Sequence, residues 1–255
     1  MTEVKAKKFL GQHFLTDENI AARIVESLSP DSHHVLEIGP GMGVLTKYLI
    51  TKGDIDFHVV EIDRESVAYL HDHYPTLDVI EGDFLKYDLT ALFHDSFSII
   101  GNFPYNISSQ ILFKVYDNRE QVTEVVGMFQ KEVAERVAAG PGSKTYGILS
   151  VLLSAFYDIE YLFTVHEHVF NPPPKVKSAV IRLRRNDVKH LECDEKLFVQ
   201  VVKAGFNQRR KTLRNALKQL NMPIENIGED ILAKRAEQLS VEQFIDITKT
   251  IQSCM

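Results

Sequence analysis

Short apolar runs alternate along the chain with stretches in which apolar residues recur every third or fourth position. Runs at 34–38, 57–63, 77–84 and 97–101 are of the first kind and are bounded by Gly, Asp or Glu. Such runs read as buried strands, and their alternation with helical stretches predicts an α/β fold. The stretch from Ile20 to Leu28 carries Ile20, Ile24, Val25 and Leu28 on one face. Thr16 is its expected N-cap, Asp17 and Glu18 face the positive helix end, and Pro30 follows it. Further helices are expected at 44–49, 108–115, 131–138 and 147–156, and further strands at 122–129, 159–165 and 176–184, the last two antiparallel. Beyond Asp187 the strand signals stop. Helices are expected at 195–206, 209–220, 231–238 and 241–251, with a break at Asn221-Met222-Pro223. The expected organisation is therefore an α/β domain over 1–186 and a small all-helical domain over 187–255.

Length and composition agree with this division: 255 residues, 44% hydrophobic, suffice for one large domain and a small appendage. No run of about 18 apolar residues offers a membrane span. Met1 to Lys8 is charged and has no apolar signal region. Cys193 and Cys254 lie far apart in no metal-ligand spacing, which reads as reduced thiols in a cytoplasmic protein. The net charge of −6 argues against a nucleic-acid partner until its distribution is seen. Residues 171–220 carry net +9 and the rest net −15. A basic segment on an acidic body is the footprint of phosphate contact, although a solvated helix face would carry the same charges.

The strand ends carry the chemistry. In open α/β sheets, ligands bind outside the carboxyl ends of the strands. The first strand runs into Gly39-Pro40-Gly41-Met42-Gly43, where glycines let the backbone turn tightly and approach a ligand. The second ends in Glu61-Ile62-Asp63, with Glu61 18 residues after Gly43, near the spacing at which a carboxylate meets ribose hydroxyls. The third ends in Glu81-Gly82-Asp83, and Asp83 is placed to accept from an adenine amino group. The loop lacks the third-glycine spacing of dinucleotide sites and has no phosphate-binding lysine, which favours S-adenosylmethionine over NAD or ATP. Taken singly, each of these features also fits a plain turn or a surface carboxylate.

The fourth strand ends in Asn102-Phe103-Pro104-Tyr105. The lone pair of adenine's amino group is delocalised into the ring, so the amine is a poor nucleophile. The Asn102 side-chain oxygen and the carbonyl of Phe103 or Pro104 offer two acceptors for its N–H groups, which favours a pyramidal nitrogen with its lone pair free. Tyr105 offers a stacking face, and Phe170, heading Asn171-Pro172-Pro173-Pro174-Lys175, is placed to close over the base from the other side.

In this order, together with Gln12-His13-Phe14-Leu15 ahead and Arg209-Arg210-Lys211-Thr212-Leu213-Arg214 behind, the segments resemble the ribosomal RNA adenine dimethyltransferase family, the KsgA-type enzymes, over nearly the whole length. The resemblance implies a Rossmann-like S-adenosylmethionine-dependent methyltransferase sheet with a small helical RNA-recognition domain. It implies that His13 and Leu15 line the cofactor's entrance, Gly39 and Gly41 approach its methionine part, Glu61 takes the ribose hydroxyls and Asp83 the adenine amine. Asn102 would border both cofactor and target, with Pro104, Tyr105 and Phe170 on the target adenine. The implied substrate is small-subunit ribosomal RNA in an assembling 30S-type subunit, dimethylated at N6 of two adjacent adenosines near its 3′ end. A cytoplasmic monomer without a metal is expected. Two departures stand out: Phe103 occupies a position where Leu is commoner, and His13 one where Asn is common. A DNA adenine methyltransferase, an assembly factor that binds without turnover and an NAD-dependent oxidoreductase are the alternatives.

Overall fold

The computed structural model describes residues 4–218 and 222–255. The first three residues of the basic arm, the end of the helix expected at 209–220 and Asn221 of the expected break lie outside the described residues. The chain divides into two compact units. The first takes in the chain up to Ala134 together with Ile159–Arg185. Its sheet has seven strands among the described residues: β2 (His34–Ile38), β3 (Asp56–Glu61), β4 (Asp78–Glu81), β5 (Phe97–Asn102), β6 (Val122–Gln130), β7 (Tyr157–Val165, whose first two residues fall in the other unit) and β9 (Ser178–Arg185). Their order is β4-β3-β2-β5-β6-β9-β7. The ladders from β4 through β6 are parallel, and β9 runs antiparallel to β6. The order reverses at β2, which lies between β3 and β5, and a doubly wound sheet opens its ligand crevice at such a switch point. Two short strands, β1 (Phe14–Leu15) and β8 (Phe170–Asn171), form a separate antiparallel pair.

Helices α1 (Glu18–Glu26), α2 (Thr46–Leu49), α3 (Arg64–His73) and α4 (Ser108–Asp117) belong to this unit, and α5 (Lys131–Val137) follows β6. The cap of α1 is Asp17, not Thr16: the Asp17 carboxylate accepts the Ile20 N–H at 3.1 Å. Thr16 extends the β1–β8 pairing instead, giving its N–H and its hydroxyl to the Val169 carbonyl at 2.8 and 2.9 Å. Helix α2 starts at Thr46 rather than at Val44, because Gly41 and Gly43 hold left-handed φ of 57° and 80° and the chain spends 41–45 in turns.

The second unit comprises Glu135–Asp158 and Asn186–Met255. It contains α6 (Ile148–Ser154), α7 (Glu195–Asn207), α8 (Leu213–Lys218), α9 (Glu229–Leu232) and α10 (Val241–Ser253). Division by compactness thus puts α6 with the C-terminal helices. Helix α8 starts later than the expected 209, because 208–211 forms a turn, closed by the Lys211 N–H on the Gln208 carbonyl at 2.7 Å. The expected helix at 231–238 is two pieces, α9 and a 3-10 turn at Ala236–Gln238. Caps are clear elsewhere: Asp194 accepts the Leu197 N–H at 2.7 Å, and Ser240 and Gln243 form a capping box at the start of α10.

Candidate active site

The carboxyl ends of β2, β3, β4 and β5 border one cleft with about 930 Å³ of empty space, counting its open mouth. Its walls include Gly39, Gly41, Glu61, Ile62, Gly82, Asp83, Asn102, Pro104, Tyr105 and the segment from Leu10 to Phe14. Gly39 and Gly82 leave the backbone bare to the cleft. A β-carbon at Gly39 would meet only Pro104 Cδ, at 3.9 Å, and one at Gly82 would meet nothing within 4 Å. Gly41 serves a different contact, since a β-carbon there would lie 2.9 Å from the Phe14 ring.

Glu61 fastens the glycine loop to β3. One carboxylate oxygen accepts the Gly41 N–H at 3.1 Å and the other accepts the Asp63 N–H at 2.8 Å. Burial pushes the Glu61 carboxyl above its ordinary value, and those two N–H groups oppose the shift. Behind the loop, burial pushes the wholly enclosed Glu37 carboxyl up to about 8, against the Thr46 hydroxyl that donates to it at 2.6 Å. Asp83 lies on the cleft and accepts the Leu85 N–H at 3.0 Å. Its loop is gathered by Lys114 of α4, whose ammonium donates to the carbonyls of Phe84 at 2.7 Å, Leu85 at 3.1 Å and Tyr87 at 2.5 Å. A single lysine on an amphipathic helix gives no sequence signal for that role. Ile62 was likewise missed: it is an apolar residue left 49% exposed on the cleft wall.

At the end of β5, the Asn102 amide nitrogen donates to the His13 carbonyl at 2.9 Å. That bond sets the amide, so its oxygen is the end left for a ligand. The Pro104 carbonyl already receives the Ile107 N–H at 3.2 Å and the Ser108 hydroxyl at 3.1 Å. That leaves the Phe103 carbonyl as the candidate for the second acceptor. The Tyr105 hydroxyl is hydrogen-bonded to Ser178 at 2.5 Å, and burial raises its pKa. The Phe103 ring turns away from solvent, edge-on to Phe129 with centroids 4.9 Å apart.

The wall formed by Leu10 to Phe14 is tied down from Lys7. The Lys7 ammonium pairs with Asp63 and, at 3.2 Å, with Glu65. Burial alone would raise the Asp63 carboxyl, but Lys7, Gln12 and Ser66 outweigh it and hold it below its usual value. His13 Nδ1 lies 2.8 Å from the Pro172 carbonyl, an acceptor only, so Nδ1 is the protonated nitrogen; the ring sits 5.2 Å from that of Tyr105. Of the expected site residues, His13, Gly39, Gly41, Glu61, Asp83, Asn102, Pro104 and Tyr105 meet on this cleft. Leu15 lines an adjoining pocket with Gly39, Gly43 and Asn102, and Phe170, paired opposite it across β1–β8, lies in an apolar cluster with Val169 and Val180, each of the two 4% exposed.

A model of the family described as ribosomal RNA adenine dimethylase matches residues 3–253 of the chain. The chain belongs to that family. It is 65% identical to the ribosomal RNA small subunit methyltransferase A of Cytophaga hutchinsonii, over 98% of this chain and 99% of that one. To the protein of the same name from Parabacteroides distasonis it is 60% identical, over 97% and 94%. Among solved structures it is similar to a dimethyladenosine transferase from Plasmodium falciparum, with a TM-score of 0.79 at 26% identity over 94% and 98% of the two chains. The 23S rRNA methyltransferase ErmE superimposes with a TM-score of 0.69 at 25% identity, over 92% and 99%. The expected Rossmann-like methyltransferase sheet with a helical C-terminal region is the fold observed. This dimethylase is an S-adenosylmethionine-dependent methyltransferase.

Proposed function

We propose that the enzyme dimethylates N6 of two adjacent adenosines near the 3′ end of small-subunit ribosomal RNA, within an assembling 30S-type subunit. The observation that carries this reading is the convergence of Asn102-Phe103-Pro104-Tyr105 with the bare glycine loop and the acceptors Glu61 and Asp83 on one cleft. Those residues fit S-adenosylmethionine: carboxylates for ribose hydroxyls and the adenine amine, and exposed backbone at Gly39 for the methionine part. The cofactor supplies, when bound, a methyl group on a positively charged sulfur that an amine lone pair attacks.

The chain's own groups do the rest. The Asn102 amide oxygen and the Phe103 carbonyl accept from the target amine and hold its lone pair out of the ring plane. The His13 carbonyl keeps the Asn102 amide from flipping, and Ser178 fixes the Tyr105 ring as a stacking face. Phe170 takes the opposite face by leaving the apolar cluster it occupies here. Once the first transfer is done and the amine has lost a proton to water, one N–H remains, so one acceptor has to release and make room for the methyl group. The contribution is positioning in a preorganised polar site.

The test is labelled methyl transfer into small subunits purified from cells lacking this gene, with the nucleosides identified by mass. Dimethyladenosine from those subunits and none from wild-type subunits supports the reading. Incorporation into DNA alone would refute the substrate. In the same assay Asn102→Ala should abolish transfer while largely sparing cofactor affinity; equal loss of both would sink the role given to Asn102.

A further inference from the structure

Phe9 is 77% exposed, the most exposed large apolar side chain among the described residues short of the terminal Met255. A single exposed phenylalanine needs no explanation by itself, but this one is held out by its surroundings. It sits in the 3-10 turn Lys8–Leu10, closed by the Leu10 N–H on the Lys7 carbonyl at 3.0 Å and the Gly11 N–H on the Lys8 carbonyl at 3.1 Å. Gly11 ends the turn at φ 66°. On the inward side Leu10 lines the cleft and Lys7 is tied to Asp63. The Phe9 carbonyl accepts from Asn106 Nδ2 at 3.4 Å, and Asn106 directly follows Tyr105. Phe9 thus sits in the turn next to Leu10 of the cleft wall, its carbonyl on the target-gripping loop, and Lys5, Lys8 and Asn106 are exposed as it is.

We propose that Phe9 stacks on an unpaired base next to the target adenosine, with Lys5 and Lys8 on the adjoining phosphates. The proposal rests on the reading of the cleft given above. Drawing a target base out of its stack leaves a neighbour with one bare face. An aromatic ring among cations is the surface that takes such a base whatever its sequence. A protein partner would call for a contiguous apolar patch, whereas the exposed residues next to Phe9 in the chain and at its carbonyl, Lys8 and Asn106, are charged and polar.

The chain contains no tryptophan, so Phe9→Trp places a single reporter at this position. Its emission should be quenched on adding small subunits purified from cells lacking this gene. In methyl transfer to those subunits, Phe9→Ala should lower kcat/KM about five- to hundred-fold with cofactor affinity unchanged. Phe9→Tyr should keep activity and Phe9→Leu should fall with Phe9→Ala. Wild-type rates in Phe9→Ala would overturn the proposal. Rescue by Phe9→Leu would point to an apolar protein contact and overturn it equally, as would unmoved tryptophan emission with bound subunits. Failure of the wild-type enzyme to methylate the subunits would instead overturn the site reading beneath it.

Discussion

Gly127 of β6 is the place where one added methyl group should reach the chemistry. A β-carbon there would lie 2.2 Å from Phe103 Cε2, 2.8 Å from Phe103 Cδ2 and 2.7 Å from Phe129 Cε2. Non-bonded carbons pack at about 3.5–4.0 Å, so the Phe103 ring must move by more than about 1 Å. It has little room on its other side, where it lies so close to Gly101 that a β-carbon there would sit 2.7 Å from its Cε1. The Phe103 N–H is also pinned to the Met128 carbonyl at 3.1 Å. Overpacking of a tight core costs about 1–3 kcal/mol, and this site belongs at the upper end. For a chain of this size about 3 kcal/mol lowers Tm by roughly 6–12 °C. Phe103→Leu alone should cost about 1–2 kcal/mol for the lost ring atoms. Combined with Gly127→Ala it should recover part of the strain, since the contact with Phe129 persists, giving a coupling of about 1.5 kcal/mol in the double-mutant cycle. Urea unfolding of the four proteins without cofactor measures this. A cost below about 0.5 kcal/mol for Gly127→Ala, or additivity within about 0.5 kcal/mol, would refute the steric account. Because Phe103 lies between Asn102 and Pro104, Gly127→Ala should also depress kcat, on the order of 100-fold if the tetrapeptide shifts by about 1 Å.

Two further expectations follow from groups behind the cleft. The folded value of the Glu37 carboxyl lies above its unfolded one, so the stability it contributes as a neutral acid is full below about pH 4.5 and is lost as pH rises through about 8. Glu37→Gln should therefore gain on the wild type between pH 5 and pH 8 by on the order of 3 kcal/mol, and a pH-independent difference in unfolding would refute the burial of an ionisable group there. Lys114→Met should loosen the loop that carries Asp83 and raise KM for S-adenosylmethionine about ten-fold at nearly constant kcat, since three ammonium hydrogen bonds are lost. An unchanged KM would deny Lys114 a positioning role.

The sheet and the place of the cleft were legible because parallel strands covered on both faces read as short apolar runs, and each run here stops at residues that line the cleft. Glu61, Asp83 and Asn102 could be named without coordinates for that reason. What was not legible depends on contacts between distant segments. The two-residue strands β1 and β8 carry no periodicity, yet their pairing buries Leu15 and Phe170 and diverts Thr16 from capping α1. Lys7 reads as one charge of a basic arm until Asp63 is found beside it. In the helical region, apolar spacing predicts that residues are helical on average but not where a turn intervenes: Arg209 gives its guanidinium to the carbonyls of Lys144 and Tyr146, outside any helix.

The chain enters the smaller unit twice, and this bears on how the protein can be taken apart. Helix α6 lies between β6 and β7 in sequence but packs on α7 and α10. Ending the chain at 186 would remove α7 and α10, on which α6 packs, from a helix whose Leu149, Val151, Leu152 and Leu153 are buried here. The product would be a sticky fragment, not a portable catalytic module. The reverse cut would leave α7 and α10 without α6. A cut at one point in the sequence therefore does not separate the two units.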